Sequence, residues 1–258
     1  MVTDIAVCGD SFGCGIGLPD ETCYEENFSG VVAIHHGLSQ RVYARSGCCN
    51  FTIFLQVKKI IEQMAHDPFY KPLVLITTTF HERLIFPLDD GFKYHYPDLS
   101  DVDYRSYIPY HANTGTPRRI EFEIKDNPRL VTETISNIEH HQAGKANGLD
   151  KLFVKVHRNK FDAIKKYFLE LFDTGIKREY DESLFVYMHM LLKQKDIPHV
   201  IMGHCLPQVI PDENRMENNW GEYTSRYPDN IGSGHCNATG NRLVGEAIIT
   251  HIKKYSLL

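Results

Sequence analysis

The run Leu73-Val74-Leu75-Ile76-Thr77-Thr78-Thr79, introduced by Pro72, is aliphatic or β-branched at every position. Such residues favour extended backbone, and a run without a polar alternate face suits a strand buried on both sides. That burial is the habit of parallel sheets, so the rest of the chain has to supply helices for two faces. It does. Asp4 to Cys8 and Arg41 to Arg45 read as two earlier strands, and Pro198 to Gly203 as a fourth. Between and after them, Phe51 to His66, Lys160 to Phe172, Asp181 to Lys195 and Thr239 to Lys253 carry apolar residues at helical spacing. The fold class that follows is α/β: a three-layer α/β/α sandwich around a mostly parallel, flavodoxin-like sheet, with residues 1–258 as a single domain.

The stretch from about 87 to 150 breaks this rhythm. It is polar, rich in turn formers, and carries Tyr94, His95, Tyr96, Tyr104, Tyr107, Tyr110 and His111. A structureless loop of that length is improbable inside a compact domain, so it reads as an insertion with structure of its own, packed beside the carboxyl edge of the sheet. Its tyrosines suit stacking on sugar rings, a contact with a protein partner or a second copy, or a small satellite core.

Several function classes are excluded by composition. Of 258 residues, 28 are basic and 33 acidic, a net charge of −5, which argues against a protein that grips nucleic acid or an anionic membrane surface. No apolar run approaches the roughly 18–20 residues needed to span a bilayer. The first residues, Met1 to Cys8, lack the basic flank and long apolar region of a signal peptide. Seven cysteines, an odd number at spacings that fit no zinc module, read as free thiols of a reducing compartment, so a cytoplasmic location is expected. The adjacent pairs His35-His36 and His140-His141 point in different directions on most backbones, and no metal site is expected there.

Two segments carry chemistry. Gly9-Asp10-Ser11-Phe12-Gly13 closes the first strand, where reactive groups gather in open α/β sheets. A serine hydroxyl needs an exposed turn and a base to become a nucleophile, and imidazole, which titrates near neutrality, is the usual base. His235, in Gly232-Ser233-Gly234-His235-Cys236-Asn237, lies in a glycine-rich loop just before the last helix.

Together these blocks resemble the SGNH/GDSL hydrolase family. The resemblance covers Asp4 to about Gln63, Leu73 to Thr79, and Pro198 to the C-terminus. It implies a fifth strand, Ser11 as nucleophile, His235 as base, and an oxyanion hole built from the backbone N–H groups of Ser11 and Gly47. Asn237 and Gly240 match the family's last block. Two positions depart from the pattern. After the third strand the family carries an oxyanion-hole asparagine, whereas this chain reads Thr79-Phe80-His81-Glu82-Arg83, leaving Thr79 or His81 as the donor. Three residues before the histidine, where the family has aspartate, stands Gly232; Asp229 reaches His235 if the loop bulges, and otherwise a Ser–His dyad is held by another group.

The resemblance implies ester hydrolysis by acyl transfer, with no cofactor. The polar-aromatic insertion points to a small-molecule or carbohydrate ester, an O-acetylated sugar for preference, rather than a lipid. The alternative is a catalytically silent domain of the same fold, serving as a structural or interaction module in an assembly such as a viral particle. Trp220 either lines a substrate cleft or caps the core, and Glu82-Arg83 either pair in the site or order the insertion. Cys8, Cys14, Cys48, Cys49 and Cys236 all stand beside the site in sequence; they read as packing groups, the sharper reading being thiols whose oxidation impairs activity.

Overall fold

The computed structural model describes residues 2–19, 22–44, 48–81, 83–87, 102–105, 119–124, 130–133, 166–167, 170–204, 206–218, 220–230, 232 and 234–258. In chain order the elements are β1 (Asp4–Cys8), α1 (Ser11–Cys14), α2 (Cys23–Glu26), α3 (Phe28–His36), β2 (Ser39–Val42), α4 (Asn50–His66), β3 (Pro72–Thr77), β4 (Leu84–Pro87), β5 (Val102–Arg105), β6 (Arg119–Ile124), β7 (Leu130–Glu133), α5 (Thr174–Gln194), β8 (His199–Gly203), β9 (Arg215–Glu217), α6 (Trp220–Arg226) and α7 (Ala238–Tyr255).

The main sheet runs β5-β6-β2-β1-β3-β8-β9, and every ladder in it is parallel except β5–β6 at one edge. Alternate residues of its central strands face opposite layers, as the two-residue period of a strand requires. Ile5, Val7, Leu73, Leu75, Val200 and Met202 pack under α3 and α7, through Phe28, Val32, Val244 and Ile248. Ala6, Cys8, Val74, Ile76 and Ile201 pack under α4 and α5, through Ile53, Val57, Phe185 and Met188. The protein is therefore a three-layer α/β/α sandwich, with the two-sided burial that the Leu73–Thr79 run demanded.

The elements differ from the sequence reading at identifiable places. Strand β2 ends at Val42 rather than Arg45, having begun at Ser39, two residues past the left-handed Gly37 that closes α3. Helix α5 starts at Thr174 rather than Asp181 because the Asp173 side chain accepts the Ile176 N–H and caps it there. Helix α3 has no counterpart in the reading: Gly30 weakens a helix, Val31, Val32 and Ile34 favour extended backbone locally, and burial against the sheet overrides both. Between 87 and 150, β6 extends the main sheet beyond β2, and β7 pairs antiparallel with β4 as a separate ladder. Tyr94, His95, Tyr96, Tyr107, Tyr110, His111, His140 and His141 lie outside the described residues, as does most of the helix expected over 160–172. No helix among the described residues is long and apolar enough to cross a membrane.

One buried polar pair has a measurable consequence. His199, in β8 and 2 % exposed, turns Nδ1 to the Ile197 carbonyl at 2.8 Å, and its Nε2 lies 2.9 Å from His189 Nδ1 on α5. The carbonyl requires a proton on His199 Nδ1, so His199 Nε2 accepts from His189. Burial pushes His199 down to about 4, the Ile197 carbonyl opposing and the nearby His189 and Lys193 reinforcing. His189 is lowered too, by burial and then by Lys193. The unfolded chain therefore binds more protons than the folded one between the ordinary histidine value and about 4. Stability is complete above that window and falls as pH drops through it, by about 2 kcal/mol at pH 5 for His199 alone. Urea denaturation at pH 7.5 and 5 should show this loss in the wild type and a much smaller one in His199→Gln. An unchanged midpoint in the wild type would exclude a neutral, buried His199.

Candidate active site

The central strand order, β2-β1-β3-β8-β9, reverses direction at β1, and in open α/β sheets the crevice outside such a reversal is where ligands bind. The Gly9-Asp10-Ser11 turn sits there. Its backbone is held from α4: Gln56 accepts the Gly9 N–H at 2.7 Å and donates to the Gly9 carbonyl at 3.1 Å. Asp10 is 1 % exposed and caps α1, Oδ1 accepting the Phe12 N–H at 3.1 Å. Its Oδ2 accepts from Thr79 Oγ1 at 2.7 Å and from an Arg83 guanidinium nitrogen at 2.8 Å. The same Arg83 nitrogen reaches Thr79 Oγ1 and the Cys48 carbonyl. A buried carboxylate with three donors, one of them charged, is the condition under which burying it is tolerable. Ser11 opens α1 and is buried with it.

Asn50, at the start of α4, fastens the exit of β3. It accepts the Thr79 N–H at 2.9 Å, donates to the Thr79 carbonyl at 3.1 Å, and donates to Asp181 Oδ2 at 2.8 Å. Asp181, buried on α5, also receives His81 Nδ1 at 2.8 Å and Lys177 Nζ. Burial alone would raise the Asp181 carboxyl, but the bonds from His81, Lys177 and Asn50 outweigh it and hold the carboxyl below its ordinary value. Asp181 is ionised, and His81 Nδ1 carries a proton toward it.

His235 enters from the other layer. Its backbone N–H donates to Asp229 Oδ2 at 3.3 Å, its carbonyl accepts the Asp229 N–H at 3.0 Å, and Cys236 bridges Pro228. Asn237 then caps α7 by accepting the Gly240 N–H at 3.1 Å. The loop after α1 closes on this turn: a Cβ on Gly17 would lie 2.8 Å from Asp229 Oδ2 and 3.2 Å from His235 Cβ. The His235 ring lies 4.8 Å from the ring of Phe12, the residue after Ser11, and Phe12 stacks on Trp220 at 4.5 Å. Trp220 also packs against Phe28, so it caps the α3–α7 core and backs Phe12 at once.

The fold thus gathers Ser11, Asp10, Thr79, His81, Arg83, Asp229 and His235 at one edge of the sheet. Gly47 and Glu82 lie outside the described residues. No hydrogen bond joins Ser11 to His235 among the described residues. Both Thr79 donors are already engaged, its N–H by Asn50 and its hydroxyl by Asp10, so Thr79 is a tie between strand exits in this conformation. Arg83 pairs with Asp10. Asn50, Gln56 and Asp181 had no place in the sequence reading, because polar residues inside a helix signal nothing until the opposing chain is known. Cys8, Cys48, Cys49 and Cys236 are buried; burial, with Cys48 nearby, pushes the Cys8 thiol well up, and burial, then Asp229, pushes Cys236 up to about 11. Cys8 and Cys236, buried and held that far from thiolate, are packing groups rather than oxidation-prone ones. His35 and His36 close α3 with rings 4.8 Å apart, and no third metal-ligand side chain joins them among the described residues.

Compared with known proteins, the chain matches no family model, no curated protein and no solved structure.

Proposed function

We propose that the protein is a serine esterase that works by acyl transfer through Ser11, on the pattern of the SGNH/GDSL hydrolases. The observation that carries this reading is the placement of the Gly-Asp-Ser turn at the reversal of strand order, with His235 brought from the far end of the chain to the ring beside Ser11. Ser11 Oγ attacks the ester carbonyl as His235 takes its proton. The backbone N–H groups of Ser11 and Gly47 receive the oxyanion, His235 protonates the leaving alcohol, and water resolves the acyl-enzyme. Phe12 and Trp220, stacked beside Ser11 and each only partly buried, supply the aromatic surface that a sugar ring favours, which supports an O-acetylated carbohydrate as substrate class.

A second reading is favoured by the engaged donors of Thr79 and the missing asparagine: a silent domain of the same fold, used as a structural or interaction module. Treatment with an alkyl phosphonofluoridate decides between them. The esterase forms one adduct, mapped to Ser11 and absent from His235→Ala at matched time. An unmodified Ser11 in the folded wild type removes the esterase reading and leaves the module.

A further inference from the structure

We propose that His81 is a second acid–base residue of this site, oriented by Asp181, and that its Nε2 takes the proton of the water that resolves the acyl-Ser11 intermediate. The inference rests on the esterase reading and deepens it. It starts from an imidazole at the carboxyl edge whose orientation is fixed by an ionised, buried carboxylate. His81 Nδ1 lies 2.8 Å from Asp181 Oδ2, and the carboxylate is in turn held by Asn50 and Lys177. With Nδ1 donating inward, the lone pair of a neutral His81 ring sits on Nε2, and that nitrogen has no hydrogen-bond partner among the described residues. The side chain is 21 % exposed, enough for water to reach it.

The position of the pair fits that role. His81 follows β3 and Ser11 follows β1, the two strands that border the crevice. Asp10, the residue before Ser11, and His81 belong to one hydrogen-bonded frame, which runs from Asp10 through Thr79 and Asn50 to Asp181 and His81. His81 is backed by α5, where Phe185 lies 6.5 Å from its ring, whereas His235 precedes α7 in the opposite layer. The two imidazoles therefore approach the crevice from opposite faces of the sheet. A planar acyl group on Ser11 also has two faces. The alcohol leaves on the side served by His235, and water can attack from the side of His81.

The step balances as follows. A water O–H bond breaks and its proton goes to His81 Nε2, while the water oxygen bonds to the acyl carbon and the carbonyl π pair moves to oxygen. The intermediate then collapses, the acyl carbon–Oγ bond breaks, and Ser11 Oγ leaves with a proton from His235, which His235 has drawn from solvent. His81 returns its proton to solvent, and one water has become part of the released carboxylic acid.

The test is rapid-mixing hydrolysis of p-nitrophenyl acetate by wild type, His81→Ala, His81→Gln, Asp181→Asn and Ser11→Ala. Both His81 variants should keep a burst of one p-nitrophenolate per chain, which also counts folded sites. Their steady rate should fall by about 10²–10⁴. Intact-mass analysis should show acetyl-Ser11 accumulating, and added imidazole should restore the steady rate of His81→Ala. Asp181→Asn, a change in a positioning residue, should slow the same phase without imidazole rescue. A His81→Ala steady rate equal to wild type, or one that imidazole leaves unchanged, overturns the proposal while the burst upholds the esterase. Wild-type turnover no faster than Ser11→Ala instead overturns the esterase reading itself.

Discussion

Ser11→Ala and His235→Ala are each expected to reduce steady hydrolysis of p-nitrophenyl acetate by about 10⁴-fold or more, and the double variant no further. The reason is that the two groups act in one event. Without Ser11 Oγ there is no proton for His235 to take, so removing the imidazole as well costs nothing more. Without His235 the hydroxyl stays protonated and is too weak to attack. The comparison is clean because each substitution only truncates a side chain. Ser11→Ala removes one oxygen from the first turn of α1, whose cap is Asp10, and two hydrogen bonds between residue 235 and Asp229 are made by the backbone N–H and carbonyl of residue 235, which His235→Ala keeps. Thermal midpoints should therefore stay near wild type. Effects that multiply in the double variant would show two independent contributions and dissolve the Ser11–His235 unit. A Ser11→Ala variant with wild-type turnover would place the chemistry elsewhere.

What could be read from the chain before folding was whatever is periodic or local. The β-branched run at 73–79 announced a strand buried on both faces, and Gly9-Asp10-Ser11 announced a tight turn at a strand exit, because both signals lie within a few adjacent residues. Helix α3 escaped because Gly30 weakens a helix and Val31, Val32 and Ile34 favour extended backbone, so that only the sheet beneath turns the segment helical. The polar frame of the site escaped for a different reason. Asp181 lies 131 residues from Asn50 and 100 from His81, and Asp10 lies 73 from Arg83. Partners so far apart share no pattern in the chain; only the parallel crossovers bring them to one edge. Arg83 shows the limit well: its guanidinium reaches Asp10, a partner 73 residues away that no local pattern marks.

The same carboxyl edge explains why Thr77 ends β3 and two more threonines follow it, and it supports a prediction about stability. Thr77 faces Gly9 at the exit of β1, and Thr78 faces Gly203 at the exit of β8. A Cβ on Gly9 would stand 1.8 Å from Thr77 Oγ1, and one on Gly203 would stand 2.0 Å from Thr78 Oγ1. Each hydroxyl fills the space a missing Cβ leaves. Only Gly9 adds a backbone demand, with φ of +157°, in a region that side chains rarely adopt. Gly9→Ala is expected to lose about 3–5 kcal/mol, the sum of overpacking and backbone strain, and Gly203→Ala less, about 1–3 kcal/mol from overpacking. Deleting the opposing hydroxyl separates the two causes. Against a Thr78→Ala background, Gly203→Ala should recover most of its loss, since only the Thr78 Cβ at 3.2 Å and Leu206 Cδ2 at 3.3 Å still crowd the new Cβ. Against Thr77→Ala, Gly9→Ala should keep about 1–3 kcal/mol of it, because the strain remains when the worst clash is gone, as do the close contacts with Thr77 Cβ at 3.2 Å and its carbonyl oxygen at 3.3 Å. Urea denaturation of the two double-mutant cycles measures this. Full recovery at Gly9 would mean that its backbone is unstrained and that steric exclusion alone selects glycine ahead of Asp10 and Ser11.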